Sequence, residues 1–123
     1  MRTRLLALLV FVMTGLSLFA QKQTYEKMWK SVEASEKKDL PQSVIKKTTE
    51  IYQKALAEKN SPQMFKAYLY NANTKVRIDA DSFYVNLKGL EKWEAESTVS
   101  MDKAILNSMI AELYVDYAQN NSW

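Results

Sequence analysis

Residues 39–56 read DLPQSVIKKTTEIYQKAL, and this stretch decides the fold class. Its apolar and small side chains recur at intervals of one and three residues, as on one face of an α-helix. The set is Val44, Ile45, Thr48, Ile51, Tyr52, Ala55 and Leu56. Pro41 suits the first turn of a helix and not its interior, so the helix is predicted to begin there. The sequence here predicts a helix with one buried side.

The helical period continues on both sides of this stretch. Before it, a second stripe is formed by Tyr25, Met28, Trp29 and Val32. After it, Asn60-Ser61-Pro62 predicts another helix start, with Ser61 as the N-cap and Pro62 at the first helical position. The apolar side of this third helix comprises Met64, Phe65, Tyr68, Leu69, Ala72 and Val76.

Two further helices complete the pattern. Asp81 or Ser82 is predicted to cap a fourth helix, whose core seam comprises Phe83, Leu87, Leu90 and Trp93 or Glu94. Gly89 lies inside this helix, which predicts either a bend or a neighbour packed close to the missing side chain. The fifth helix, residues 101–119, is apolar around much of its circumference, which predicts contacts on more than one side.

Five helices joined by short polar connections predict an all-α fold, an antiparallel helical array. Residues 55–60, followed by residues 65–69, are similar to the junction between consecutive tetratricopeptide units. The rest of the 34-residue repeat pattern is weak. We therefore expect helix hairpins stacked in a tetratricopeptide-like way, and the sequence leaves a formal tetratricopeptide domain open.

The first 20 residues have the pattern of a secretory signal peptide. Two arginines precede an apolar run of 16 residues, 5–20, which ends in small residues before Gln21. This run is shorter than the roughly 20 residues that span a bilayer, which makes an uncleaved anchor the weaker alternative. We expect cleavage between Ala20 and Gln21, a signal peptide over 1–20 and a helical domain over 21–123. The protein is expected to be exported to the periplasm or the outer membrane.

Composition excludes many kinds of chemistry. The 123 residues contain no His and no Cys, which removes imidazole bases, thiolate nucleophiles, disulfides and the usual zinc ligands. The motif Asp79-Ala80-Asp81 resembles the start of a calcium loop, but Tyr84 and Leu90 stand where Gly and Glu are needed, so capping explains it better. We predict no enzyme activity, no catalytic residue, no cofactor, no metal and no small-molecule substrate.

The charge pattern and the aromatic residues are equally uninformative about ligands. Without residues 1–20 the net charge is +1, and acidic and basic residues alternate, so we predict no nucleic-acid partner. Glu91 and Glu94 lie at i and i+3 on a predicted helix and are expected to be solvated surface. Helical spacing places most of the large aromatic residues in the core rather than in a ligand groove: Trp29, Tyr52, Tyr68, Phe83, Trp93 and Tyr117.

Several short segments together resemble one known region. They are residues 25–33 (YEKMWKSVE), 38–41 (KDLP), 51–55 (IYQKA), 60–64 (NSPQM), 66–68 (KAY), 81–84 (DSFY) and 90–93 (LEKW). The pattern is similar to the N-terminal helical region of the large alpha-2-macroglobulin-like proteins exported by Bacteroidetes. It covers essentially all of residues 21–123 and consists of helix and cap residues rather than a catalytic motif.

This resemblance implies a role in an endopeptidase inhibitor, a protease trap built of β-sandwich domains that often carries a Cys-Gly-Glu-Gln thioester. None of those parts is present in this sequence, and no functional residue of the family maps onto it. The resemblance therefore implies a structural or docking segment that packs against the remainder of a larger macroglobulin-like chain or a partner protein. The alternative is an autonomous tetratricopeptide-like module that binds a peptide or protein in its groove. An apolar, uncovered outer side on the fifth helix is expected from the first, and a polar one from the second.

Overall fold

The computed structural model describes the backbone of residues 2–120 and the side chains of residues 3–4 and 22–119. All regular secondary structure in residues 2–120 is helical, which confirms the all-α prediction. The five helices are α1 (Arg2–Lys37), α2 (Pro41–Ala57), α3 (Ser61–Ile78), α4 (Ser82–Glu96) and α5 (Ser100–Asn120). In the described part of the chain, none of them has the length and apolar character that crossing a membrane would require.

Three-residue connections separate consecutive helices, and two of them close with the same hydrogen-bond pattern. After α1, Leu40 N donates to Ser35 O and Asp39 N donates to Glu36 O. After α2, Asn60 and Lys59 make the equivalent bonds. Asp39 and Lys59 both adopt positive φ, at 51° and 52°. These are Schellman endings built on residues other than Gly.

The start of α3 is displaced by one residue from its prediction. Asn60, not Ser61, is the N-cap, because its side-chain Oδ1 accepts a hydrogen bond from Gln63 N at 3.4 Å. Ser61 is the first helical residue, and Pro62 follows it in the first turn. Both prolines therefore lie in the first turn of a helix, as predicted, but the N-cap is Asn60 rather than Ser61, and Pro62 is the second helical residue rather than the first.

The start of α4 also differs from its prediction. Asp81 occupies the N-cap position, but its side chain makes no capping bond. Instead, the Asp79 carboxylate accepts a hydrogen bond from Asp81 N at 3.1 Å, as in an Asx-turn. Asp81 therefore stands at the predicted N-cap position, but its side chain does not make the predicted capping bond. Ser82 is already the first helical residue, and the turn is held by Asp79.

Cross-helix contacts fix the direction of each helix. Between α1 and α2, Ser35 pairs with Ser43 and Lys47 Nζ donates to Ser31 O, so the helices run antiparallel. The contacts of α3 with α2 and with α4 follow the same rule. Helices α3 and α5 run parallel and also touch, since the Ser61 hydroxyl bonds Asp102 at one end. The array is thus antiparallel between neighbours, as predicted.

The core consists of two clusters that meet at α3. The first joins α1, α2 and α3, and its members are Tyr25, Trp29, Val32, Val44, Ile51, Ala55, Met64 and Ala67. The second joins α3, α4 and α5, and its members are Phe65, Phe83, Leu87, Leu90, Leu106, Met109 and Leu113. Trp93 packs against both clusters. Most of the predicted apolar stripes therefore form the core.

Gly89 is explained by a close neighbour. Helix α4 runs through it without interruption, and the Tyr68 hydroxyl occupies the space that a Cβ atom at this position would need. The same hydroxyl donates a hydrogen bond to Asn86 O at 2.8 Å. Of the two predicted alternatives, the packed neighbour is the one observed.

The predicted cleavage site falls at the edge of the described side chains. Ala20 and Gln21 belong to residues 5–21, whose side chains lie outside the described part. The backbone of α1 is helical through both residues. The signal peptide therefore stays a prediction.

Candidate docking surfaces

Helix α5 is apolar around much of its circumference but covered on only one half. Leu106, Met109 and Leu113 are buried against α3 and α4. On the other half, Met101 is 69% exposed and Val115 is 53% exposed. The predicted contacts on more than one side are made by two neighbouring helices, α3 and α4, while the half turned away from them is open to solvent.

The open half carries a regular set of uncharged residues, which we call the outer face of α5. Its members are Met101, Ala104, Ser108, Ala111, Val115 and Ala118, all exposed. They alternate at intervals of three and four residues, the spacing of a seam along which two helices pack. Three alanines allow the backbone of a neighbour to approach closely, and the two larger side chains supply apolar contact.

The packing of α3 shows what kind of element can cover such a face. One side of α3 packs on α2, where Asn71 Nδ2 bonds Ile45 O. The side about 100° further round, counted at 3.6 residues per turn, packs on α4, where Ala72 O accepts from Asn86 Nδ2. Two antiparallel helices thus flank α3, one from each hairpin.

The same rotation on α5 leads to its outer face. Helix α5 meets α4 through Lys103, whose Nζ lies 3.6 Å from the Glu94 carboxylate, and through Tyr117, whose ring stacks on Phe83 with centroids 4.1 Å apart. A turn of about 100° from this contact, in the sense found on α3, reaches Ala104 and Ala111, with Ser108 beside them. By analogy with α3, a further antiparallel helix would contact α5 along its outer face.

The borders of the outer face are mixed in character. Ile105 is 36% exposed on one side and Tyr114 is 49% exposed on the other. Glu112 lies beside Ile105 and is the charged residue nearest to the seam. A helix that covers this face would bury apolar area at little electrostatic cost.

A groove runs across the exposed side of α3 and forms a second candidate surface. A cavity of about 490 Å³ lies between α3 and α5, and a cavity of about 320 Å³ lies between α3 and α1. Asn73 and Arg77 line both cavities, so these two side chains form the ridge between them. Arg77 makes no ion pair with the described residues. Besides the Arg77 guanidinium and the Asn73 amide, the lining includes the carboxylates of Asp116 in the larger cavity and Glu36 in the smaller one.

One turn before Tyr70, which lines the smaller cavity, the side of α3 is occupied by a contact with α1. Lys66 Nζ lies 4.1 Å from the centroid of the Trp29 ring, a cation–π contact. The Trp29 indole donates from Nε1 to Gln63 Oε1 at 2.7 Å and packs on Tyr70. These contacts join α1 to α3 and are structural.

The aromatic residues serve the core, as predicted. Trp29 and Phe83 are buried, and the others are half-buried within the two clusters: Tyr52, Tyr68, Trp93 and Tyr117. Phe83 and Tyr117 also border the larger cavity. Burial, with the nearby Tyr52, raises the pKa of Tyr68 to about 12.

A clasp of charged and polar groups holds α1 against the end of α2. The Tyr25 hydroxyl donates to the Glu58 carboxylate, which also pairs with Lys54. Burial, reinforced by the bond to Glu58, raises the pKa of Tyr25, whereas Lys54 and Tyr25 lower the pKa of Glu58. The arrangement resists ionisation of Tyr25 and suits a structural contact.

The candidate chemical residues from the sequence do not come together. Glu91 is exposed, and Glu94 pairs with Lys103. Among the described residues, no group of three acidic side chains could hold a metal ion. Sequence reasoning missed Asn73 and Arg77, although Lys66, Tyr70, Asn73 and Arg77 recur at helical spacing on the side of α3 opposite its apolar residues.

Comparisons with known proteins identify no relative. No protein family, no curated protein and no solved structure matches this chain.

Proposed function

We propose that this protein is a non-catalytic, exported helical module that serves as the N-terminal structural or docking segment of an alpha-2-macroglobulin-like endopeptidase inhibitor. It acts in the periplasm or at the outer membrane. Its partner is the remainder of a larger macroglobulin-like chain or a separate partner protein, and it engages neither nucleic acid nor a small-molecule substrate. The observation that carries the proposal is the exposed outer face of α5.

Three features support this proposal together. The outer face is uncharged and lies where the array would place a further antiparallel helix. The segments between Tyr25 and Trp93 resemble the leading helical region of those inhibitors. Residues 1–20 have the pattern of a signal peptide, which suits export.

The hairpins are proposed to stack as tetratricopeptide-like units. In favour of this, α3 contacts both α4 and its parallel counterpart α5, as helices of successive units do. The spacing is longer than in tetratricopeptide units, because α2 begins at Pro41 and α4 begins at Ser82, 41 residues later. The proposed stack is therefore similar in connectivity and different in repeat length.

Photocross-linking in cells tests the docking role. A photoreactive amino acid replaces Ala111 on the outer face, and a matched variant carries it at Ala95, an exposed alanine on α4. Cross-linked peptides are then identified by mass spectrometry. We expect Ala111 to capture a helical segment of a macroglobulin-like polypeptide and Ala95 to capture none. Equal capture at both sites, or capture of unrelated proteins at Ala111, would contradict the proposal.

The alternative function is an autonomous peptide-binding module. The two cavities on either side of Asn73 and Arg77 favour it, because they offer adjoining recesses along the exposed side of α3. The same experiment with the photoreactive group at Asn73 separates the two functions. Capture of one defined peptide segment at Asn73, with none at Ala111, would support the alternative.

A further inference from the structure

We propose that the cavity between α3, α4 and α5 binds an extended, uncharged peptide segment of a partner protein, which inserts one aromatic side chain. The cavity lies on the side of α5 that carries Leu113 and Tyr117, opposite the outer face, so the two sites do not overlap. The inference rests on the alternative peptide-binding function, and it names the chemistry of the peptide. It leaves the occupant of the outer face unchanged.

The cavity is a consequence of how α3 and α5 are spaced. Near their first residues the two helices are joined, because the Ser61 hydroxyl donates to the Asp102 carboxylate at 3.2 Å. Toward their last residues, Arg77 on α3 and Asp116 on α5 instead line a space of about 490 Å³. Helix α4 contributes Phe83 to the lining of this space. The volume lies within the range of about 300–1,000 Å³ that is typical of ligand sites.

The interior of the cavity is apolar and aromatic. Phe83 and Leu113 are only 3% and 5% exposed, so they form its deepest part. Val76 and Ala80 add further apolar lining. The Tyr117 ring stacks on Phe83 with the two centroids 4.1 Å apart, and this pair offers a ring surface to an inserted aromatic side chain. Binding such a side chain removes apolar surface from water on both partners.

The rim of the cavity supplies both hydrogen-bond donors and acceptors. The Arg77 guanidinium only donates, the Asp116 carboxylate only accepts, and the Asn73 amide does both. All three residues are exposed, and the side chains of Asn73 and Arg77 make no hydrogen bond or ion pair within the described part of the chain. Each peptide unit of an extended segment presents one N–H and one C=O group, the complement of this mixed set.

The charges on the rim favour an uncharged ligand. Arg77 and Asp116 line the same cavity with opposite charges, so a carboxylate or an ammonium group on a ligand meets attraction and repulsion together. A neutral peptide avoids this conflict and still uses the hydrogen-bonding groups. The aromatic side chain therefore supplies most of the affinity, and the main chain sets the orientation of the peptide.

Titration of the purified, isotope-labelled chain followed by NMR tests the inference with peptides blocked at both ends. The probe is acetyl-Gly-Phe-Gly-amide, and acetyl-Gly-Ala-Gly-amide is its matched control. We expect the Phe peptide to bind with a dissociation constant of about 1 mM and to shift the amide signals of Val76 and Leu113. The Ala peptide is expected to bind at least about ten-fold more weakly, because it lacks the ring. No shift up to about 10 mM Phe peptide, or equal affinity for both peptides, would overturn the inference.

Two charged peptides test the neutral character of the ligand. Acetyl-Asp-Phe-Asp-amide and acetyl-Lys-Phe-Lys-amide are expected to bind within about five-fold of the uncharged Phe peptide, because exposed charges contribute little. If either bound more than about ten-fold more tightly, the cavity would be a site for a charged ligand and the proposed ligand would be wrong.

Two matched variants locate the site. Ala80→Phe adds a ring to the cavity lining from an exposed turn position and should weaken binding of the Phe peptide at least about ten-fold. Ala95→Phe changes an exposed alanine of α4 outside the cavity and should leave the affinity unchanged. Far-UV circular dichroism confirms that both variants stay helical. Undiminished binding to Ala80→Phe, or an equal loss in both variants, would show that another surface binds the peptide.

Failure of this inference and failure of the docking role are distinguishable. A chain that binds none of the peptides, but whose Ala111 cross-links to a macroglobulin-like segment, overturns this inference alone. A chain that binds the Phe peptide in the cavity, while Ala111 cross-links to nothing, supports this inference and contradicts the docking role.

Discussion

Gly89 shows how one absent side chain sets the fit between two helices. Helix propensity alone favours Ala at this position by about 1 kcal/mol. The Tyr68 hydroxyl, however, fills the space for a Cβ atom and bonds Asn86 O, so an added methyl group forces the ring away.

We predict that Gly89→Ala destabilises the protein by about 1–3 kcal/mol in spite of the gain in helix propensity. Urea denaturation measures the free energy of unfolding. In a Tyr68→Phe background, which lacks the obstructing oxygen, the same change is expected to be neutral or stabilising. An equal cost of Gly89→Ala in both backgrounds would show that the hydroxyl is not the obstacle.

Lys59 shows a strained backbone at a helix end. Its φ of 52° is unfavourable for a residue with a side chain, and Gly adopts it freely. Lys59→Gly is therefore predicted to stabilise the protein by about 0.5–1 kcal/mol. The matched control is Lys37→Gly at the last residue of α1, which is expected to cost about as much. Thermal unfolding followed by circular dichroism compares them, and destabilisation by both variants would contradict the argument.

The raised pKa of Tyr68 predicts that the free energy of unfolding falls at high pH. Its pKa is raised to about 12 in the folded chain and is about 10 when unfolded, so the folded state holds its proton more tightly. The resulting stability is fully present below pH 10 and is lost as the pH rises toward 12. Burial raises the pKa of Tyr25 and Tyr52 in the same direction.

We predict a level free energy of unfolding up to about pH 10 and a decline above it, measured by urea titration at each pH. Tyr68→Phe is expected to make the decline shallower, because one fewer group titrates. A variant with the same decline as the parent would exclude Tyr68 as a source of the pH dependence.

At the residue scale, the sequence predicted where helices start but not which residue caps each of them. The sequence placed both prolines at helix starts, because a fixed φ and a missing N–H fit only there. It did not distinguish Asn60 from Ser61, since both side chains can cap and the choice depends on where the preceding turn ends. The positive φ of Lys59 has no local sequence signal, whereas Asp39 belongs to a residue type that is enriched in this conformation.

At the scale of the element, the residues of α5 that stabilise the fold lie on one side of the helix, and the residues proposed for docking lie on the other. Its inward residues, Leu106 above all, are fully buried between α3 and α4, while its outer face contributes nothing to this core. The sequence predicted the helix and its wide apolar girdle. It did not predict which half is covered, because that depends on how α3 and α4 are placed around it.

We therefore predict that Leu106→Ala lowers the free energy of unfolding by about 2–4 kcal/mol, since it leaves a cavity in the core. Ala111→Glu is expected to change it by less than about 0.5 kcal/mol. Urea denaturation compares the two variants. A large loss from Ala111→Glu would mean that the outer face belongs to the fold itself.

At the scale of the whole molecule, the array has an open side. Periodicity and two proline starts predicted five antiparallel helices, and the contacts between them agree. The sequence alone did not predict the candidate surfaces. The position of the outer face of α5 depends on which side of α5 its neighbours cover. The groove exists because α1, α3 and α5 lie side by side. Both depend on packing geometry that no single segment encodes.

The central claim is that the outer face of α5 is covered when the protein is at work, and cysteine labelling tests it most directly. The chain contains no native Cys, so Ala111→Cys and the control Ala95→Cys each provide a single reactive thiol on an exposed helical alanine. The rate of reaction with a maleimide is measured in intact cells that produce the protein. We predict a rate at least about ten-fold lower at Ala111 than at Ala95, because a docked helix excludes the reagent. Equal rates at the two positions would show that the face stays open and would contradict the account.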